Sequence, residues 1–296
     1  MRCLILLCFA CARLILSAEE PSVDPAPVEP TLENMQLAAP KKACQLPDCV
    51  EESSGLVKSH KYKDHDVFWT LSDSGGKEVL YAVTSEGKLL REVGIPASKN
   101  KDWEDLSMDA SGRLIIADIG DNGRKRDHIV LYRLSEPDAL DPKSEAQKPE
   151  VFKYKYPEAD GAHDAEALII NGECGYLFTK GMLETRCYKL PLPEKAPKDP
   201  VAVEFVASTD AVTAVTGAAL SDDGKRLALV TYISIQVFDR PAKEEKPHPL
   251  FTVPRRSRLA WLGQTEAVAW DKNDLVLTTE GGAVYRVKDA GAPPKD

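Results

Sequence analysis

The sequence is poor in basic charge, in aromatic residues and in long apolar runs, and each shortage removes a class of protein. Lysine and arginine number 38 against 47 aspartates and glutamates, a net charge of −9. That balance argues against nucleic acid or an anionic membrane surface as the main partner. After the first eighteen residues no stretch approaches the roughly 20 apolar residues of a membrane-spanning helix. No 3.6-residue apolar period survives along the chain. Aromatic residues make up 7%, and the four tryptophans are scattered. Beyond the first eighteen residues no Cys-x-x-Cys and no nearby histidine accompany the four cysteines, which argues against a zinc site. No Gly-x-Ser-x-Gly surrounds Ser72 or Ser74, so the nucleophile elbow of serine hydrolases is missing.

What is present begins with a leader. Residues 1–18, "MRCLILLCFACARLILSA", carry an early arginine, an apolar run and a small-residue end, and are expected to be a secretory signal peptide. Residues 19–41 open with a Pro/Glu-rich stretch and are expected to form a disordered linker. The mature chain is then expected to be secreted or periplasmic, monomeric and without a membrane span. Three of the seven cysteines fall in the leader, leaving Cys44, Cys49, Cys174 and Cys187. An even count in an exported chain favours disulfides. Of the three connectivities, the local one, Cys44–Cys49 with Cys174–Cys187, is the expectation.

The strongest signal is internal repetition. "ESSGLVKS", "DWEDLSMDASG", "DAEALIINGECG", "AVTGAALSDDG" and "QTEAVAWDKND" share one pattern, a small or acidic start, an apolar run and an Asp/Asn/Gly turn. Their third residues are Ser54, Glu104, Glu166, Thr216 and Glu266, spaced by 50, 62, 50 and 50. The excess of 12 coincides with a polar, proline-containing insertion at residues 135–149. Each repeat continues with further short runs such as "FWTLSDSGG", "VLYAVTSEG" and "KLLREVGIP", which read as strands and turns. Four strands per repeat and five repeats predict an all-β fold, a single five-bladed β-propeller over residues 42–290. Residues 291–296 are then a disordered tail. A six-bladed count would require the insertion to hide a partial blade. The fifth repeat lacks a fourth strand, and "KKACQLP" near the N-terminus supplies it, closing the ring and removing both free edges.

A propeller gives the spacing a spatial meaning. Inner strands begin, and second strands end, on one rim, so residues fifty apart converge on the axis. One ring is Ser54, Glu104, Glu166, Thr216 and Glu266; its neighbour is Asp73, Asp118, Lys180, Tyr232 and Glu280. Glu52, Asp102, Asp164 and Gln264 flank the first ring. Such residues also serve simply as turn formers. Three glutamates in one column, however, repel unless a positive charge or a proton joins them. Oxygen-only ligands suit Ca2+ or Mg2+, so a divalent cation, Ca2+ first, is expected at Glu104, Glu166, Glu266, Asp73, Asp118 and Glu280. Lys180 is a competing internal countercharge. Asp121 and Asn122 are either additional ligands or loop braces.

"SSGL", "WTLSDSGG", "DWEDL", "IADIGDN", "DAEAL", "VTGAALSDDG" and "TEAVAW" together resemble a family of exported bacterial propellers of undefined activity. More distantly, residues 49–287 resemble the SdiA-regulated, phytase-like and gluconolactonase-type propellers. The gluconolactonase-type resemblance implies metal ligands at the starts of inner strands, here Glu104, Glu166 and Glu266, with Ser54 and Thr216 completing the column. The phytase-like and SdiA-regulated resemblances imply Ca2+, and the former implies phosphate-ester substrates. The chain shows no phytase motif and has few basic residues in the ring. Two functions therefore compete. One is a cation-bound module that recognises a small-molecule or protein ligand on its acidic face. The other is a metal-dependent hydrolase of a lactone or phosphate ester. There the metal polarises the substrate and Asp118 or Asp164 is the general base. Lys180 stabilises developing negative charge and His163 relays a proton.

Overall fold

Runs such as "FWTLS", "RLIIAD" and "LVLTT" are β-branched, leucine-rich or aromatic and meet Asp or Gly within two residues of their ends, which suits strands ended by tight turns. Gly112 and Gly224 adopt positive φ, 76° and 67°, in the equivalent first turns of two repeats. A side chain resists that conformation. The computed structural model describes residues 36–239 and 256–292. The expected signal peptide, most of the linker and residues 293–296 lie outside the described residues.

Among the described residues, 21 strands form five sheets. β1 (Lys41–Gln45) comes first, then blade 1 with β2 (Ser53–Lys58), β3 (Phe68–Ser72), β4 (Val79–Val83) and β5 (Leu89–Gly94). Blade 2 holds β6 (Trp103–Met108), β7 (Arg113–Asp118), β8 (Ile129–Ser135) and β9 (Glu150–Lys155). Blade 3 is β10 (Ala165–Asn171), β11 (Cys174–Thr179) and β12 (Thr185–Pro191), followed by β13 (Val201–Ala202) and β14 (Glu204–Thr209). The two-residue β13 runs parallel to β9 of blade 2, and β14 completes blade 3. Blade 4 is β15 (Val215–Leu220), β16 (Arg226–Thr231), β17 (Ser234–Asp239) and β18 (Arg256–Leu259). Blade 5 is β19 (Thr265–Asp271), β20 (Asp274–Thr279) and β21 (Ala283–Val287). Its fourth strand is β1, antiparallel to β21. The result is a five-bladed propeller closed by an N-terminal strand.

Middle strands are buried at nearly every position because each blade is covered on both faces by its neighbours. Five apolar clusters fill the five inter-blade seams, from Trp69 with Trp103 between blades 1 and 2 to Leu56 with Val276 between blades 1 and 5. Leu37, in the stretch expected to be linker, is 1% exposed and packs at the seam of blades 4 and 5. Gly291 and Ala292, expected in the tail, donate main-chain bonds to Asn273 and Asp289 at 2.8 and 3.1 Å.

The insertion after β8 forms no sixth blade. It straps blade 2 to blade 1: Glu136 accepts Trp69 Nε1–H at 2.9 Å, Asp138 accepts the Tyr62 hydroxyl at 2.6 Å, and Arg91 donates to the Asp138 carbonyl at 2.8 Å.

The expected disulfides are corrected, since all four cysteines among the described residues are free. Strand register explains one pair. Cys174 faces Pro191 and Cys187 faces Phe178 in the β11–β12 ladder. The offset of four residues separates them by about 13 Å at strand spacing, whereas a disulfide needs Cα atoms closer than about 7 Å. Cys44 instead donates to the Ser85 carbonyl at 3.4 Å, and Cys49 lies exposed past the turn beside Glu92.

Where the inner strands meet, the position after the expected ring carries small residues, Gly55, Ala167, Gly217 and Ala267, with Asp105 as the exception. Asp105 is 1% exposed. Its carboxyl accepts N–H groups from Leu106 and from Leu168 of blade 3, both at 2.7 Å, and a further one from Ala218 of blade 4. Burial still holds it well above the usual carboxylate range. One side chain thus joins three blades at the axis. Asp105→Ala leaves buried donors unpaired at about 1–3 kcal/mol each, so urea unfolding should show a loss of roughly 2–5 kcal/mol. A loss near zero would remove Asp105 from the account of closure.

Candidate functional site

The inner-strand starts and second-strand ends are tied together on one rim. Asp73, Gly120, Lys180 and Glu280 donate main-chain N–H groups to the carbonyls of Glu52, Asp102, Asp164 and Gln264, at 3.0, 3.2, 3.0 and 2.9 Å. At that rim the pairing of inner and second strands slips once in every blade. The slips lie between Ser53 and Gly55, Trp103 and Asp105, Ala165 and Ala167, Val215 and Gly217, and Thr265 and Ala267. Such a β-bulge leaves one residue unpaired and re-aims its side chain. The bulged residues are Ser54, Glu104, Glu166, Thr216 and Glu266, the column that the repeat singles out.

The two hydroxyls in the column are inter-blade clips. Ser54 Oγ donates to the Trp103 carbonyl at 2.8 Å and Thr216 Oγ1 to the Thr265 carbonyl at 2.6 Å, each one residue before the next blade's bulge.

The acids converge. Ligand oxygens of Asp73, Asp102 and Glu104 lie within 4.8 Å of one another, as do those of Glu104, Asp164 and Glu166. Glu104 belongs to both groups. Glu104 and Glu166 are 5% and 3% exposed. Among the described residues, the only ion pair made by any of these five is that of Glu166 Oε1 with Lys180, whose ammonium also stands 4.9 Å from the Tyr232 ring centroid. The second oxygen, Glu166 Oε2, is buried and has no hydrogen-bond partner. Gly120 forms the wall beside them. A Cβ at that position would collide with Glu104 Oε1 and Asp102 Oδ2.

Crowding shifts the acids toward protonation. Burial and then the charges of Glu166, Asp73, Asp102 and Asp164 hold Glu104 well above the usual carboxylate range. Burial outweighs Lys180 and pushes Glu166 up to about 8. Glu266 also reaches about 8, through burial and the Glu166 charge. Asp102 rises to about 6, through burial and then Asp73 and Asp164. Burial opposes the charge of Lys180, yet Glu166 drives its pKa up. A bound divalent cation would replace those protons; the donor set is all oxygen, which suits a hard ion.

Three of the six expected metal ligands, Asp73, Glu104 and Glu166, stand in these groups. Glu266 and Glu280 lie outside them, though Glu166 and Glu280 act on Glu266 through charge. Asp118 is engaged elsewhere: its Oδ1 accepts the Asp102 N–H at 3.1 Å and Arg126 Nη1–H at 2.7 Å. Asp121 is a loop brace, accepting the N–H groups of Lys125 and Arg126 at 2.9 and 2.8 Å while donating its own to Asp164 at 2.8 Å. His163 packs against Tyr156 and Tyr188, with ring centroids at 5.2 and 5.5 Å. Burial, then Arg186, lowers its pKa, so the ring is neutral at pH 7. Asp102 and Gly120 join the site without having been singled out as ligands or wall. Asp102 shared a column with Asp164, a usable signal, but nothing in the sequence marks Gly120.

If these carboxylates hold Ca2+, Gly120→Ala should weaken its binding at least tenfold in a calorimetric titration while the melting temperature in chelator stays within a few degrees. Its methyl group displaces two carboxylates at the ends of side chains, not backbone. Unchanged affinity would place the ion elsewhere.

No protein-family model matches the chain, and no curated protein matches its sequence. Similar solved structures include the PQQ-bound aldose sugar dehydrogenase of Streptomyces coelicolor, at 9% identity, covering 84% of this chain and 98% of that one, with a TM-score of 0.49. The glutaminyl cyclase of Myxococcus xanthus is similar at 9% identity, 86% and 95% coverage and a TM-score of 0.48. The β-propeller domain of Myceliophteria thermophila Cps50 (Swd1) shows 12% identity, 84% and 99% coverage and a TM-score of 0.44. At these identities and scores the likeness concerns the fold alone, and a shared fold does not imply shared chemistry.

Proposed function

We propose that this propeller binds one divalent cation, Ca2+ in preference, among Asp73, Asp102, Glu104, Asp164 and Glu166, and acts outside the cytoplasm as a ligand- or partner-binding module. The observation that carries the reading is the buried Glu166 Oε2, without a partner, in a cluster where five carboxylates face a single paired ammonium. Buried carboxylates at that density are stabilised by a cation or by protons. A bound ion would leave Lys180 and the rim loops around it to meet the ligand.

A metal-dependent hydrolase is the competing reading, and it receives less support. Of the four candidate catalytic groups, Asp118 is held by Arg126, Lys180 by Glu166, and His163 packs in a cluster with two tyrosines that also touch each other. Asp164 remains, but as a member of the cation cluster. Thermal melting with and without Ca2+ or Mg2+ tests the shared premise. At a hundredfold excess over Kd the ion adds about 2.7 kcal/mol, a rise of roughly 5–10 °C for a chain of this size. No rise with either ion overturns both readings. A panel of lactones and phosphate esters then separates them; turnover lost in Glu166→Gln would favour the enzyme.

A further inference from the structure

On the flank of blade 2, beside the acidic mouth, lies a cleft of about 480 Å³ with the opposite charge. Lys99 and Lys101 come from the connection before β6, Lys125 and Arg126 from the loop after β7, and Lys153 from β9. Five cations so close are unexpected in a chain of net charge −9. Two carboxylates, Asp118 and Asp127, share the cleft, and Asp118 is already committed to Arg126 at 2.7 Å. None of the four lysines makes an ion pair among the described residues.

Arg126 gives the cleft a fixed point. Its side chain is 6% exposed, and its Nη1–H groups reach Asp118 and the Gly120 carbonyl, at 2.7 and 2.8 Å. Its Nε–H is buried with no partner. Guanidinium groups held in this way suit oxyanions through directed donors, whereas lysines add charge without fixed geometry. Positive potential converges here by an independent sign as well. The pKa of His128, which also lines the cleft, is lowered by burial and then by Lys153, Arg126 and Lys101. Val130, Tyr132 and Val151 complete the lining, so one part of the cleft is apolar and the volume falls in the range of small-molecule sites.

We infer that this cleft binds a tetrahedral oxyanion, a phosphate or sulfate group, carried on a small molecule whose body rests against Tyr132, Val130 and Val151. The inference is independent of the cation at the mouth.

Calorimetric titration of the full chain with inorganic phosphate, and separately with sulfate, is carried out in EDTA at constant ionic strength set by chloride. EDTA removes any route through a bound cation, so this test can fail without touching the cation reading, and the reverse also holds. Saturable binding in the millimolar range is expected, about −4 kcal/mol, from one anion or both, and the stronger arm identifies the group. Lys153→Glu should weaken it at least tenfold, with Lys88→Glu, on blade 1, as the unchanged control. Lys101→Gln, a milder change, should weaken it a few-fold and covers the case in which Lys153→Glu does not fold. Absence of saturable binding to either anion overturns the inference, as does binding of equal strength in the cleft variants.

Discussion

Stripped of divalent cations by a chelator, the protein is expected to lose stability as pH rises from about 5 to about 8, and added Ca2+ should flatten that profile. The direction follows from proton linkage. Glu166 and Glu266 each sit at about 8 in the folded protein, and Asp102 at about 6, all above their unfolded values of roughly 4. A carboxyl with a raised folded pKa keeps its proton in the native state after the unfolded chain has lost it. Native protein therefore binds more protons across that window, and stability falls with pH until the folded pKa is passed. The buried members lose on the order of a few kcal/mol in total. A cation stabilises the ionised forms and removes the slope. In chelator at pH 8, Glu104→Gln should melt no lower than the parent, because a neutral amide replaces a carboxyl that burial and its acidic neighbours hold toward protonation, and it should no longer respond to Ca2+. Denaturant unfolding across pH, with and without the ion, provides the check. A flat profile in chelator would mean that the carboxylates are compensated by other means.

Removing residues 1–46 should abolish cooperative unfolding, whereas removing residues 1–30 should leave the melting temperature within about 2 °C. β1 supplies the outer strand of blade 5 through Lys41–Arg286, Lys42–Tyr285, Cys44–Val284 and Gln45–Ala283 pairing. Leu46 continues the tie, donating to the Gly282 carbonyl at 2.7 Å. Upstream, Leu37 is held at both main-chain ends: its N–H donates to Ser257 O at 3.2 Å and its carbonyl accepts Arg258 Nε–H at 2.6 Å. Loss of the segment bares the β21 edge and removes two buried leucines, each worth about 2–5 kcal/mol on truncation to alanine. With the lost ladder, the total rivals the 5–15 kcal/mol that holds a typical domain together, roughly speaking. Leu37→Ala alone should cost about 2–5 kcal/mol. A sharp melting transition in the 1–46 deletion, at the parental temperature, would show that the ring closes without β1.

Much of this was readable because a propeller writes its geometry into sequence as a period. Fifty-residue spacing put Glu104, Glu166 and Glu266 in one column, and the structure shows the column to be a repeated bulge. The closing strand was legible because blade 5 was one strand short. Features set by rotamer or register were not legible. Asp118 ends its strand on the correct rim, but Arg126, eight residues later, takes its carboxylate. The cysteine pairs looked local in sequence, yet the length of the loop between β11 and β12 sets a register that separates Cys174 from Cys187. Asp105 was not singled out from the sequence, because its partners Leu168 and Ala218 become neighbours only when the ring closes.

Calorimetric titration of Ca2+ into the chelator-treated protein at pH 7, in buffers of different ionisation enthalpy, tests the cation site most directly. Ligand carboxylates must be ionised, so Glu166, with a pKa of about 8, and Glu104, held well above the usual carboxylate range, release protons as the ion binds. One Ca2+ per chain is expected, with release of roughly one to two protons, and neither event in Glu104→Gln. Heats without saturation, or saturation with no proton release and no response to that substitution, would contradict a cation held between Glu104 and Glu166.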